Sequence, residues 1–258
     1  MYVKPKKHLG QHFLVNPQIA EEIASIIKPS DCDVLIEIGP GTGVLTKFLF
    51  DNWSNRLLCY EVDGQSIKYL IQQEWALGLN LREQDFLQAN LNTIAEGKSI
   101  GLVGNYPYNI STEIAFRAIE SNGVISHFGG MFQKEVAERF CAAHGSRTYG
   151  VTSVLLQAYY DCKYLFTVDK DEFNPPPKVQ SGVMICIRKT GDLGCEYKTL
   201  RTLVKAAFSQ RRKTLNNALK SLRGMGFELP TEYGPKRAEQ VSVDEFIRLA
   251  HNWDRNKK

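Results

Sequence analysis

The sequence predicts an α/β protein, a mostly parallel sheet flanked by helices, followed by a smaller domain made of helices alone. Three observations predict it. Short apolar runs alternate with amphipathic stretches between residues 34 and 132. Two further apolar runs, near 159–168 and 179–188, have no helix between them. Beyond residue 196 every apolar pattern has a helical period. The chain has 258 residues, 43% hydrophobic and 23% charged, which excludes wholesale disorder and a fibrous repeat.

Asn16 suits an N-cap and Pro17 the first helical position, with Ile19, Ile23, Ile26 and Ile27 on one face and Pro29 stopping the helix near residue 28. Val34–Ile38 reads as a buried strand that ends in Gly39-Pro40-Gly41-Thr42-Gly43, and a helical pattern follows at Val44, Leu45, Phe48 and Leu49. Strands are expected at 56–61, 79–82, 100–104 and 128–132, and helices at 65–75 and 112–120. The runs at 159–168 and 179–188, joined by a turn rich in proline, predict an antiparallel pair, so that a seventh strand runs against the others. A linker with two glycines at 189–196 places a domain boundary, giving domains 1–189 and 190–258.

Charge separates the same two parts. The chain carries a net +4, yet residues 189–258 hold 15 Lys and Arg against 8 Asp and Glu. A basic helical region on a slightly acidic body suggests a polyanionic partner. No stretch approaches the roughly 18 uncharged apolar residues of a membrane span, and the basic start lacks the apolar core of a secretory signal. Six scattered cysteines form no CxxC pair and sit at no metal-ligand spacing, as free thiols in a reducing cytosol would. A cytoplasmic protein without a metal is therefore expected.

The chemistry should lie where strands end. A glycine turn between a strand and a helix lets backbone approach a ligand. The dinucleotide fingerprint needs glycine at position 44, which is Val, and no P-loop is present. The segment Glu37-Ile38-Gly39-Pro40-Gly41-Thr42-Gly43 instead resembles the first motif of Rossmann-like S-adenosylmethionine methyltransferases. Glu61 ends the second strand, where a carboxylate can accept both ribose hydroxyls, as it also does in nicotinamide enzymes. Asp85 follows the third strand, on the same carboxyl edge as Gly39 and Glu61. After the fourth comes Gly104-Asn105-Tyr106-Pro107-Tyr108-Asn109-Ile110-Ser111. Asn-x-Pro-Tyr at this place resembles the motif of methyltransferases acting on the exocyclic amine of a base. The N6 lone pair of adenine is delocalised into the ring. Two acceptors, the Asn105 side chain and the Tyr106 carbonyl, can bind its two hydrogens and favour a pyramidal nitrogen. Pro107 stiffens the turn that holds them, and Tyr108 can stack on the base.

Taken together, these motifs resemble the ribosomal RNA adenine N6,N6-dimethyltransferase family over nearly the whole chain, and most closely its small-subunit members. The opening Lys7-His8-Leu9-Gly10-Gln11-His12-Phe13-Leu14 is similar to the family's K-x-x-G-Q-[NH]-F-L. Phe173-Asn174-Pro175-Pro176-Pro177-Lys178-Val179-Gln180-Ser181 is similar to its F-x-P-x-P-K-V-x-S. The stretches Phe208–Leu215 and Arg237–Ser242 complete the likeness. The resemblance implies that His12 and Leu14 close over S-adenosylmethionine beside Gly39, Gly41, Glu61, Asp85 and Asn105. It implies that Tyr108 and Phe173 sandwich an adenine splayed from an RNA loop. It further implies a monomer that acts on small-subunit ribosomal RNA in the immature small ribosomal subunit. Arg211, Arg212 and Lys213, with Arg201 and Lys205, are the expected phosphate contacts. Two positions depart from the pattern. Tyr106 stands where Leu, Ile or Phe is commoner, and His12 where many members carry Asn. The alternatives left open are a large-subunit methyltransferase of the macrolide-resistance type, a DNA adenine methyltransferase, and an assembly factor whose methylation is secondary.

Overall fold

The computed structural model describes residues 3–256. They gather into two compact units, residues 3–137 with Lys163–Arg188, and Glu138–Cys162 with residues 189–256.

In the first unit a short strand β1 (Phe13–Leu14) precedes α1 (Pro17–Ala24), β2 (Val34–Ile38), α2 (Val44–Trp53), β3 (Leu57–Glu61), α3 (Gly64–Leu70) and β4 (Asn80–Glu83). Then come α4 (Leu91–Ala95), β5 (Ile100–Val103), α5 (Ser111–Ile119) and β6 (Ile125–Gln133). After the excursion into the second unit follow β7 (Tyr160–Val168), β8 (Phe173–Asn174) and β9 (Ser181–Arg188). Seven strands form one sheet in the order β4-β3-β2-β5-β6-β9-β7. The pairs from β4 to β6 are parallel, and β9 runs antiparallel to β6, as the expected seventh strand should.

This order contains a topological switch. From β2 the chain moves outward to β3 and β4, then returns to the other side of β2 to lay down β5. The loops after β2 and β5 therefore diverge and leave a crevice at the carboxyl edge. Both strands are buried along their whole length, while β4 at the rim is largely exposed. Leu35 of β2 packs in the core with Ile23 of α1 and with Leu49 and Trp53 of α2.

Local chemistry sets the helix ends. The Asn16 side chain accepts from the backbone N–H of Gln18 and Ile19, with Pro17 in the first turn. This helix stops at Ala24, short of residue 28, because the Ser25 hydroxyl takes the Glu22 carbonyl. Ile27 stays buried beyond the helix end, so the apolar stripe outlasts the helix. Likewise α3 ends at Leu70 rather than 75, and Trp75 sits in a separate turn.

The second unit contains the end of α6 (Lys134–Phe140), then α7 (Val151–Tyr159), α8 (Tyr197–Ser209), α9 (Leu215–Ala218) and α10 (Val243–Asn256). Leu200, Leu203, Val204 and Ala207 of α8 and Phe246, Leu249, Ala250 and Trp253 of α10 are its buried stripes. The sequence boundary at 190 assigns residues 138–162 to the first domain, whereas the compact unit takes them in with the C-terminal helices. The contacts give the reason. The Tyr149 hydroxyl donates to the Val241 carbonyl at 3.1 Å, and Gly145 N–H donates to the Glu239 carbonyl at 2.6 Å.

Candidate active site

The strand register brings the expected residues to one edge. Ile38 lies opposite Tyr60, Glu61 opposite Glu83, and Glu37 opposite Val103. Gly39, Glu61, Asp85 and Asn105 therefore leave neighbouring parallel strands at about the same height. They line a cavity of about 360 Å³ together with His12, Gly41, Tyr106, Pro107 and Tyr108.

The glycine turn is built from backbone that L side chains avoid, with φ of +72° at Gly39 and +58° at Gly41. A Cβ on Gly41 would lie 2.9 Å from the Phe13 ring. Gly41 N–H donates to one Glu61 carboxylate oxygen at 3.1 Å, and the other oxygen accepts from Val62 and Asp63 N–H at 2.8 and 2.9 Å. Burial raises the pKa of Glu61 against the pull of these three bonds. Asp85 uses one oxygen to cap the turn at Leu87 N–H, 2.9 Å away. Beneath the glycine turn Glu37 is wholly buried. Desolvation pushes its carboxyl up to about 8, and the Cys59 thiol donates to it at 3.6 Å.

Asn105 follows β5 and bridges to Met131 of β6. Its side-chain NH₂ donates to the His12 carbonyl at 2.9 Å, which leaves the amide oxygen as the group for an incoming donor. Tyr106 N–H donates to the Met131 carbonyl at 3.0 Å. The Tyr106 ring points into the core, 4.6 Å from Phe132 and 5.6 Å from Phe128 between centroids, and its hydroxyl donates to the Gly129 carbonyl at 2.8 Å. The unusual side chain at 106 thus lies among core aromatics, and only glycine fits behind it: a Cβ on Gly130 would meet the Gly104 carbonyl and the Tyr106 ring. Tyr108 pairs its hydroxyl with Ser181 at 2.7 Å and stacks on His12, with centroids 5.5 Å apart and planes at 29°. His12 Nδ1 lies 2.8 Å from the Pro175 carbonyl, so that nitrogen carries the proton and donates.

A second cavity of about 560 Å³ shares His12 and Tyr108 with the first. It is bounded by Lys7, Gln133 and the Pro175–Val179 loop. Phe173 lines neither cavity. It pairs with Leu14 across the antiparallel strands β1 and β8, and both side chains are buried in the core with Val168 and Val183. Tyr108 and Phe173 are expected to sandwich a base; in this fold the Phe173 ring is buried, and the ring stacked on Tyr108 is that of His12. Leu14 lines a small pocket behind the glycine turn and a cavity of about 310 Å³ shared with Val15 and Tyr69, but not the first cavity.

Sequence reasoning passed over Val62, Leu87 and Ile110, which form apolar wall of the first cavity. The available signal was Val62, an apolar residue directly after a strand-end acid and half exposed. It gave no role to Asp63 or to the motif residue Gln11, whose side chains meet at 3.0 Å. Among the expected basic contacts, Arg201, Lys205, Arg212 and Lys213 are exposed. Arg211 has a different task. Its guanidinium donates to the Arg147 and Tyr149 carbonyls at 2.5 and 2.7 Å and to Glu239 at 3.3 Å, so it ties the second unit together. Among the described residues no group of three or more His, Cys, Asp and Glu could hold a metal, and no helix is long and apolar enough to cross a membrane.

A glycine turn, an acid on the next strand and an Asn-x-Pro-Tyr turn at the switch point define a methyltransferase that uses S-adenosylmethionine. The model of the ribosomal RNA adenine dimethylase family matches residues 3–254. "Ribosomal RNA small subunit methyltransferase A" of Flavobacterium johnsoniae is 50% identical over 248 residues, covering 96% of this chain and 95% of that protein. The protein of the same name in Cytophaga hutchinsonii is 47% identical over 251 residues, covering 96% and 97%. Two solved structures share the fold. A dimethyladenosine transferase from Plasmodium falciparum has a TM-score of 0.79 at 24% identity over 95% of this chain and 98% of that one. The 23S rRNA methyltransferase ErmE has a TM-score of 0.69 at 20% identity over 95% and 100%. The chain belongs to the ribosomal RNA adenine dimethylase family.

Proposed function

We propose that the protein methylates N6 of two adjacent adenines, twice each, in a hairpin loop near the 3′ end of small-subunit ribosomal RNA. The observation that carries this reading is the Asn105 amide. Its NH₂ is committed to the His12 carbonyl, so its oxygen is held ready for an amine hydrogen before substrate arrives. The bound cofactor supplies a methyl group on a sulfonium sulfur: the new N–C bond forms as the C–S bond breaks, with S-adenosylhomocysteine as the leaving group.

The residues of the first cavity suit that cofactor. Glu61 offers a buried carboxylate to the ribose hydroxyls, Asp85 an acceptor to the adenine amine, and Val62 and Leu87 an apolar seat for the ring. Gly39 and Gly41 would let its amino-acid end approach the backbone, and His12 would help to hold that end. Asn105 Oδ1 and the Tyr106 carbonyl take the two N6 hydrogens of the target base, and Tyr108 stacks on it. Stacking is worth about 1–3 kcal/mol per base, enough to offset unstacking in a loop. Once N6 has gained the methyl it is acidic, and its proton leaves to water. Arg201, Lys205, Arg212 and Lys213 supply phosphate contacts. The natural substrate in this reading is the immature small subunit, met by a cytoplasmic monomer.

The test is methyl transfer from labelled S-adenosylmethionine to unmethylated small ribosomal particles, large-subunit RNA and duplex DNA, with product nucleosides identified by mass spectrometry. Dimethyladenosine on the small particle alone is expected. Label on large-subunit RNA or on DNA, or no transfer at all, would overturn the reading.

A further inference from the structure

The buried carboxylate of Asp63 has no part in the chemistry above, yet four groups converge on it. Its side chain is fully shielded from solvent. One oxygen receives the Lys6 ammonium at 2.6 Å and Gln65 N–H at 3.0 Å. The other receives the Gln11 amide at 3.0 Å and the Ser66 hydroxyl at 3.3 Å. The two partners on α3, Gln65 and Ser66, make Asp63 an ordinary N-cap. Lys6 and Gln11 are not needed for capping. They come from a segment more than fifty residues earlier in the chain.

That segment is a closed loop. Lys6 N–H donates to the Gln11 side chain at 2.8 Å, and Gly10 turns through φ +63° so that it sits against Tyr108 and Asn109. Leu9, Gly10, Gln11, His12 and Phe13 then form one wall of the cofactor cavity. The loop ends at the His12 carbonyl, which holds the Asn105 amide. On its other side Asp63 donates its own N–H to Glu61, the proposed ribose acceptor. One residue therefore touches both the floor of the cavity and the anchor of its cover.

We propose that Asp63 is a positioning residue. Through Lys6 and Gln11 it holds residues 6–14 over the cofactor, and through that segment it sets the carbonyl that orients Asn105. A charge at this place suits the task. An ion pair with one shielded partner is costly to break, because the carboxylate would be left with neutral donors alone. The segment is thus held against solvent competition at one point, while its other bonds are neutral. The proposal rests on the reading of the first cavity as the S-adenosylmethionine site.

The experiment compares Lys6→Met, Lys6→Arg, Asp63→Asn and the double variant Lys6→Met/Asp63→Asn in the full chain. Asp63→Asn keeps an oxygen for the helix cap, and Lys6→Met keeps the apolar stem, so both should fold. S-adenosylhomocysteine affinity is measured by calorimetry, single-turnover methyl transfer at saturating cofactor by product analysis, and stability by thermal melting. Each single variant should weaken affinity roughly tenfold and slow transfer roughly tenfold, a size usual for coupled sites. The double variant should be no worse than Asp63→Asn, and Lys6→Arg should restore both readouts. A lower melting temperature with unchanged affinity and transfer rate would overturn the proposal, since a cap alone would behave so. Additive losses in the double variant would overturn it too. Glu61→Gln serves as the check on the cavity: if it binds S-adenosylhomocysteine as wild type does, the cofactor assignment fails first.

Discussion

Replacing Asn105 by alanine removes two interactions of different kinds, and their magnitudes separate binding from chemistry. The first is the bond from the side-chain NH₂ to the His12 carbonyl, 2.9 Å long. A neutral hydrogen bond contributes about 1 kcal/mol net, so its loss loosens the segment above the cavity by that much and weakens cofactor affinity by about fivefold. The second is the amide oxygen that accepts an N6 hydrogen as the nitrogen becomes pyramidal. That acceptor is oriented in advance, and removing one preorganised group of this kind costs about 10²–10³ in kcat. Asn105→Ala should therefore lose far more in single-turnover rate than in S-adenosylhomocysteine affinity. Asn105→Asp makes the same point from the other side. It keeps acceptors but sets a carboxylate against the His12 carbonyl, so it should bind cofactor worse than alanine does. Equal losses in rate and affinity for Asn105→Ala would refute the reasoning, because they would describe a residue that binds substrate and transition state alike.

Three further predictions test other parts of the site and fold. Tyr106→Phe removes the hydroxyl from the Gly129 carbonyl and should cost about 1–3 kcal/mol in urea unfolding with kcat unchanged, since the ring faces the core. Arg211→Ala should lower the melting temperature and leave the salt dependence of RNA binding as it is, whereas Arg212→Ala and Lys213→Ala should each reduce the slope of log affinity against log salt by about 1 without loss of stability. The raised Glu37 carboxyl gives a pH signature: it is protonated in the fold up to about 8 and ionises near its ordinary value when unfolded, so stability should fall as pH rises from the ordinary carboxylate range through about 8. Glu37→Gln should flatten that slope in denaturant titrations between those limits.

How far the sequence could be read follows from the kind of signal each element carries. Strands β2 and β5 were legible because a buried parallel strand is a short unbroken apolar run bounded by turn residues. The end of α8 at Ser209 also has a mark in the sequence, since Arg211 falls on the apolar stripe of Leu200, Val204 and Phe208. Helix α7 carries no such mark. Ser153, Val154, Leu155, Leu156 and Ala158 are all buried, so it has no polar face from which to read a period. That silence is why the boundary drawn at 190 does not follow the compact units, which group residues 138–162 with the C-terminal helices. The tie that moves them, Tyr149 to Val241, spans 92 positions and has no local pattern.

The site divides along the same line. Gly39, Glu61, Asp85 and Asn105 could be placed together because parallel strands of one sheet present their carboxyl ends at one edge, and the strand ends were readable. Whatever depends on side-chain direction was not. Phe173 sits in a two-residue strand, and its position opposite Leu14 rather than beside Tyr108 is decided by a pairing that starts 160 residues earlier in the chain. Asp63 is the sharper case. In sequence it is a plain helix cap after a strand-end acid, and α3 by itself asks nothing more of it. Its further meaning appears only when Lys6 and Gln11 arrive from the chain's beginning and bond its two oxygens. A cap that also receives an ammonium from the cover has a use for its carboxylate, because asparagine would serve the helix equally well. The choice of Asp over Asn at 63 is therefore the residue-level trace of the cover, and the Lys6 variants measure whether that trace is functional.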